Sequence, residues 1–204
     1  MSLPYFLFLY MKQLSTYINE KLVLNKETFK KPLYKYFPKT KDELQEIIEQ
    51  LLEERKDDDV IDLNDIDTSK ITEMNNLFEE MNIKKIDISE WDVSNVRTFY
   101  NMFSDCVRLE SVGDLSGWDI SKVKNMESMF SNCRNLKSVG DISRWNIRAV
   151  ERMASMFNNC EKLTFIGDLS AWNNGPTIIS VYNLSNMFKG CNPKIIPDWW
   201  NKNK

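Results

Sequence analysis

The chain has 204 residues, of which 42% are hydrophobic and 28% charged, with a formal net charge of −3. These values are typical of a folded domain and exclude a strongly basic chain of the kind that binds nucleic acid. The sequence contains no histidine, which removes the usual general base and the commonest zinc ligand and therefore argues against an enzyme.

Residues 1–39 are predicted to be an N-terminal leader and linker. Their apolar run, residues 3–11, lacks the features of a signal peptide and is too short to span a bilayer. This favours a cytoplasmic or virion location over secretion. The stretch MKQLSTYINE resembles the capsid-targeting leaders of tailed phages, which are cleaved after a hydrophobic-x-Glu triplet such as Ile18-Asn19-Glu20. The alternative is a plain N-terminal helix.

Residues 40–59 are predicted to form an N-terminal capping helix. Thr40 and Glu43 make a capping box, which is typical of a helix start. Apolar residues from Leu44 to Leu52 then recur at helical spacing. Because a repeat solenoid needs a terminal unit over its first open coil, we expect this helix to cover the repeats.

Residues 60–192 are predicted to form a repeat solenoid. Within nearly identical phrases, four tryptophans recur every 27 residues: Trp91, Trp118, Trp145 and Trp172. A fixed period of this length indicates one structural unit stacked on copies of itself. The pattern L-x-x-L-x-L-x-x-W predicts a short parallel strand in each unit, with a glycine such as Gly113 marking a bulge.

A helix of two to three turns is predicted to follow each tryptophan. Its inner face in one copy consists of apolar residues at helical spacing: Val123, Met126, Met129, Phe130 and Cys133. The fold class predicted is therefore α/β, a leucine-rich-repeat-like solenoid of about five strand–helix coils with an N-terminal capping helix.

Each repeat also carries one cysteine at the same position, and these are Cys106, Cys133, Cys160 and Cys191. Their wide spacing is unlike that of a metal site. We expect the cysteines, like the tryptophans, to be structural residues of the core. Disulfides between neighbouring coils and a redox role are the alternatives.

Residues 193–204 are predicted to form a C-terminal cap. Pro193 and Pro197 cannot donate to a further strand, and the indoles of Trp199 and Trp200 can cover an open coil. Caps at both ends predict a monomer.

Three phrases carry a family resemblance: DISEWDVSNVRTFYNMFSDC, DLSGWDISKVKNMESMFSNC and DISRWNIRAVERMASMFNNC. They resemble the BspA-like leucine-rich-repeat family, which includes bacterial surface antigens and mycoplasma repeat lipoproteins. The resemblance implies a leucine-rich-repeat-like solenoid with a role in protein contact or adhesion. It also allows display at the cell surface, and it implies no common enzymatic activity.

The exposed positions of the predicted strands differ from one repeat to the next. Variation on a fixed scaffold is typical of a recognition surface. The predicted binding residues are Lys84, Lys85, Glu110, Lys137, Thr164 and Phe165. Phe165 is either a contact anchor or an isolated surface aromatic.

An aspartate column is the strongest candidate for chemistry. Asp87, Asp114, Asp141 and Asp168 occupy one position of the repeat, each followed two residues later by a serine. Stacked carboxylates would lie about 5 Å apart and repel one another. Either hydrogen bonds from nearby N–H groups and serines offset the repulsion, or the column binds a cation such as calcium.

The sequence therefore predicts a non-enzymatic protein–protein interaction or adhesion module with an unidentified protein partner and no cofactor. It predicts no nucleic-acid ligand and no transmembrane segment. One alternative is a phage protein, packaged in the virion, that acts on a host partner. A more remote alternative is a metal-dependent enzyme that uses the aspartate column.

Overall fold

The computed structural model describes residues 33–174 and 184–201, so the predicted leader with Ile18-Asn19-Glu20 lies outside the described residues. The chain divides into two units, Met1–Leu33 and Tyr34–Lys204. All described helices and strands belong to the second unit. None of these described helices is long and apolar enough to cross a membrane.

Helix α1 spans Lys41–Glu54 and begins at the predicted capping box. The Glu43 N–H donates to Thr40 Oγ1 over 3.2 Å, and the Glu43 carboxylate accepts from the Lys39 N–H over 2.7 Å. The first bond satisfies an N–H group that the first turn leaves free, and the second fixes the backbone just before the N-cap residue Thr40. The apolar side of α1 is fully buried at Leu44, Ile48 and Leu51.

The predicted leucine-rich-repeat-like solenoid of strand–helix coils is wrong. Within the described residues, 33–174 and 184–201, the only α-helices are α1 and the four-residue α2, Asp198–Asn201. One parallel sheet is present in this part of the chain, made of β1 (Ile61–Asp62) and β2 (Ile86–Asp87). Turns and short 3-10 helices form most of the rest; the 3-10 helices are Leu115–Gly117, Ile142–Arg144, Ile147–Ala149, Leu169–Asn174 and Pro193–Ile195.

The repeats are nevertheless stacked on one another in parallel register. Where strands were predicted, single residues form isolated parallel bridges that join Lys85 to Ser111, Ser111 to Ser138, and Ser138 to Phe165. The extended segments stay short because Gly113 has a φ of 86°, which lies outside the extended region. The chain then turns into the 3-10 helix at Leu115–Gly117.

The predicted repeat helices are consecutive tight turns. From Asn101 to Cys106, the backbone N–H groups bond alternately to a carbonyl of the next repeat and to the carbonyl three residues earlier. Met102 donates to Phe99 over 3.0 Å, whereas Phe103 donates to Met129 over 2.8 Å. An α-helix would instead need bonds to the residue four positions earlier.

Positive φ angles are the physical reason for these turns. Asn101 and Asp105 have φ values of 54° and 61° and occupy the third position of their turns, where a type II turn requires φ above zero. Ser128, Asn132, Ser155 and Asn159 are also in this region. Asparagine and aspartate tolerate this conformation better than most residues do, and a right-handed helix cannot contain it.

Two aromatic columns fill the core. Five stacked phenylalanines have centroids 4.9, 5.3, 5.6 and 5.9 Å apart: Phe78, Phe103, Phe130, Phe157 and Phe188. In the second column, Trp145 stacks at 6.4 Å on Trp118 and at 6.5 Å on Trp172. Both columns run across the interfaces between repeats, so the core is continuous from one repeat to the next.

Segments outside the repeats cover both ends of the stack in Tyr34–Lys204. Tyr36, in the predicted linker, forms a parallel bridge with Ile66. At the other end, the Trp199 indole N–H donates to the Leu169 carbonyl over 3.0 Å. Trp145 makes the same bond to Leu115, so Trp199 takes the structural place of a further repeat tryptophan.

Candidate functional site

The six predicted binding residues lie together on two adjacent rows. Backbone hydrogen bonds join the first row, with Glu110 donating to Lys84, Lys137 to Glu110 and Thr164 to Lys137 over 2.7–3.2 Å. The second row is the bridge series that begins at Lys85 and ends at Phe165. We call these two rows the binding rows.

Ion pairs link neighbouring repeats along the binding rows. The Glu110 carboxylate lies 2.7 Å from Lys137 Nζ and 3.8 Å from Lys84 Nζ. The hydrogen bond from Lys137 lowers the pKa of Glu110. Lys85 is paired with Asp59 over 2.9 Å. Exposed pairs of this kind contribute little to stability, and they hold the long side chains in place across the rows.

Positive charge dominates the binding rows and the residues that adjoin them. We call this surface the basic face. Some of its cations precede the rows in their repeats, and one follows in the C-terminal cap. They are Lys84, Lys85, Arg108, Arg134, Lys137, Lys162 and Lys194. Among the described residues, four carboxylates accompany these seven cations: Glu110 and Glu161 lie among them, Asp59 pairs with Lys85, and Asp168 lies near Lys194. The face is therefore basic although the whole chain has a net charge of −3.

A cavity of about 220 Å³ adjoins Phe165 at the C-terminal end of the binding rows. The Phe165 ring is 52% exposed. The other walls come from Thr164–Leu169 and from Lys194–Pro197 of the C-terminal cap. Apolar side chains of the cap therefore line a pocket beside Phe165.

A second cavity, of about 630 Å³, lies at the opposite end of the binding rows. Its apolar lining is Leu52, Ile61, Met81 and Ile83, and charged side chains of both signs surround it. No motif in the sequence indicates this cavity. It forms where the side of α1 meets the first repeats, and that junction has no counterpart in the repeat pattern.

The aspartates of the predicted column make local hydrogen bonds. Each Oδ1 accepts from the backbone N–H of the serine two residues later over 2.9–3.0 Å. Bonds from the serines lower the pKa of Asp141 and Asp168. For Asp87, burial is the largest single influence and raises the pKa, but the hydrogen bonds from Ser89 and Asn64 together outweigh it, so that this pKa is lowered too. The predicted hydrogen bonds are thus present.

These carboxylates are not arranged around a common centre. Among residues 33–174 and 184–201, no three acidic, cysteine or histidine side chains form a group that could hold a metal ion. Sequence reasoning missed a second acidic column, at Asp67, Asp92 and Asp119, which caps Ser69, Ser94 and Ser121 in the same way. The spacing Asp-x-Ser in W-D-[VI]-S was the signal that could have identified it.

The four cysteines form a column of free thiols. Each Sγ donates to a carbonyl of the preceding repeat over 2.8–3.1 Å, at Phe78, Phe103, Phe130 and Phe157. Burial raises the pKa of Cys106 to about 12 and that of Cys191 to about 11, and it raises the pKa of Cys133 and Cys160 well above 9.0. The thiolate, which is the reactive form, is therefore disfavoured.

The thiols predict a loss of stability at alkaline pH. Above pH 9.0, the ordinary pKa of the thiol, the unfolded chain loses these protons and the folded chain keeps them. The free energy of unfolding then falls by about 1.4 kcal/mol per pH unit for each thiol, until pH reaches the folded pKa. Urea denaturation at pH 8 to 10.5 measures this slope.

The variant Cys133→Ser/Cys160→Ser tests the origin of the slope. Serine keeps a hydroxyl donor and does not ionise in this pH range. About half of the slope that the four thiols cause is therefore expected to disappear. Lysine and tyrosine ionisation is common to both proteins and serves as the internal control. An equal slope in the variant and the parent protein would show that the thiols do not cause it.

The sequence profile of one protein family, described as "Mycoplasma protein of unknown function, DUF285", matches the chain at residues 45–172 and again at 137–199. No curated protein and no solved structure matches the chain. The first family match alone covers more than half of the sequence, and it includes the binding rows, the tryptophan column and the aspartate column. The chain therefore belongs to the mycoplasma protein family DUF285, whose function is unknown.

Proposed function

We propose that this protein is a non-enzymatic protein-binding module that contacts its partner through the binding rows. One observation carries the proposal. The tryptophan, cysteine and aspartate columns are each occupied by one kind of residue, and the members of a column, apart from Trp172, make the same structural bond, such as that of the indole N–H or of the thiol. In the binding rows the side chains change from repeat to repeat, and half of them are exposed while the others are half-buried.

Two further features support a contact surface. The rows lie on backbone that hydrogen bonds fix across the repeats, so the side chains are presented without a large ordering cost. The repeats also resemble those of the BspA-like surface-antigen family, whose members act in protein contact and adhesion. Membership of DUF285 is consistent with this resemblance.

The test is a triple variant of the binding rows, Lys84→Ala/Lys137→Ala/Phe165→Ser. All three side chains are exposed, so the free energy of unfolding is expected to change by only about 0.5 kcal/mol per site. A photo-reactive residue at Ser138, in the centre of the rows, is expected to capture a partner protein in cells with the parent protein and to lose that capture in the variant.

A matched control exists in the second bridge series, which runs from Glu73 through Thr98 and Asn125 to Arg152. At positions within two residues of this series, the variant Arg97→Ala/Lys124→Ala/Tyr100→Ser also removes two exposed cations and one exposed aromatic. It is expected to keep the capture. Capture that survives the binding-row variant, or that both variants abolish equally, would remove the binding rows as the site.

A further inference from the structure

We propose that the cavity beside Phe165 binds one apolar side chain of an acidic peptide segment in the partner protein. This inference rests on the proposed function and specifies the partner's chemistry. It comes from the size of the cavity, the character of its walls and the charge that surrounds it.

The size of the cavity favours a single side chain. Its volume of about 220 Å³ is below the range of about 300–1,000 Å³ that is usual for small-molecule pockets. Phe165, Ile196 and Pro197 supply apolar surface at its walls. A half-exposed aromatic ring beside a preformed depression has the character of an interface anchor.

The surrounding charge favours an acidic partner. Lys194 lines the cavity, and no carboxylate in residues 33–174 or 184–201 forms an ion pair with it. Lys137 lies on the other side, where its backbone carbonyl accepts a hydrogen bond from the N–H of Thr164. Asp168 is the acidic group of the lining. We therefore expect the peptide carboxylates to lie toward Lys194, away from Asp168 and from Glu110, which is already paired with Lys137.

A protein segment fits these observations better than a nucleic acid does. Glu110 lies between Lys84 and Lys137, where an unbroken series of phosphates would meet a carboxylate. A nucleic-acid backbone carries charge at every unit and offers no aliphatic side chain for the cavity. An acidic peptide can place its carboxylates selectively and present one large apolar residue.

The test is selection of short peptides from a random display library on the full-length protein. We expect enriched sequences with several carboxylates around one large apolar residue. For a synthetic copy of an enriched peptide, Phe165→Ser is expected to weaken binding about tenfold. Lys194→Glu is expected to weaken it about tenfold and to reduce its dependence on salt.

Two variants serve as matched controls. Val107→Ser removes an apolar side chain with 49% exposure, and Lys122→Glu reverses an exposed lysine outside the basic face. Neither is expected to change peptide affinity. Phe165→Ser and Lys194→Glu act at exposed positions, and unchanged melting temperatures will show that they fold.

Several results would overturn the inference. They are enrichment of basic or uncharged peptides, no enrichment at all, equal affinity of Phe165→Ser for the peptide, or displacement of the peptide by a single-stranded oligonucleotide at the same concentration. None of these decides the proposed function. Partner capture at Ser138, and its loss in the binding-row triple variant, is a separate measurement that can succeed when the peptide selection fails.

Discussion

Trp145→Ala is expected to lower the free energy of unfolding by about 4 kcal/mol, a large share of the stability of a typical domain. The Trp145 side chain is 4% exposed and stacks on an indole on either side, Trp118 and Trp172. Truncation leaves a cavity between two repeats that the rigid neighbouring columns cannot close. Urea denaturation followed by far-UV circular dichroism will measure the loss.

Replacement of tryptophan by phenylalanine distinguishes the contribution of the aromatic ring to stability from that of the indole N–H. Trp145 donates to the Leu115 carbonyl over 3.0 Å, whereas the buried Trp172 indole nitrogen has no hydrogen-bond partner among the described residues. Trp145→Phe removes one of the two hydrogen bonds that the Leu115 carbonyl accepts, the other coming from the Trp118 N–H. Trp172→Phe instead removes a buried donor that is already unpaired. We expect Trp145→Phe to cost about 2 kcal/mol more than Trp172→Phe. Equal costs would contradict the role given to this bond.

Gly140→Ala is expected to destabilise the protein by about 3 kcal/mol, for two reasons. Gly140 has a φ of 85°, a conformation that costs about 1–2 kcal/mol for a residue with a Cβ. That Cβ would also overlap Asp114 Oδ1 and lie 3.1 Å from the Leu115 backbone nitrogen. Asp114 would have to move, and its bond to the Ser116 N–H would be lost.

Gly117→Ala is the matched control. A Cβ at Gly117 has nothing within 4 Å, so this variant is expected to change stability by less than about 1 kcal/mol. A double-mutant cycle separates the two costs at Gly140. In an Asp114→Ala background the clash with the Asp114 carboxylate disappears. About 1–2 kcal/mol of backbone strain remains, together with the cost of the close approach to the Leu115 nitrogen. An equal cost in both backgrounds would show that Asp114 and Gly140 do not interact.

The repeat period was sufficient to predict stacking but not the local backbone. The spacing of Val123, Met126, Met129, Phe130 and Cys133 fits one face of a helix. It fits consecutive four-residue turns equally well, since both place every third or fourth side chain inside. Ser128 and Asn132, with φ values of 56° and 60°, decide between them. Positive φ at a serine is uncommon, so the pattern alone favoured a helix.

The binding rows illustrate what a period can and cannot predict about a site. Residues 84, 110, 137 and 164 share one position of the repeat, and parallel stacking brings them together. The cavity beside Phe165 was not predictable in this way. Part of its wall comes from Lys194–Pro197, in a cap whose packing depends on Trp199 and Trp200 and has no periodic precursor in the chain.

The sameness of the junctions between repeats has a consequence for how such a chain can evolve. Asn132 donates to Asp105 as Asn159 donates to Asn132, each over 2.8 Å and 27 residues. Insertion or deletion of one whole copy therefore creates no new kind of junction, because both halves of each contact are already present. Gene duplication can lengthen the binding rows stepwise while both covered ends stay intact. Selection can then change the exposed residues of the added copy independently of its core.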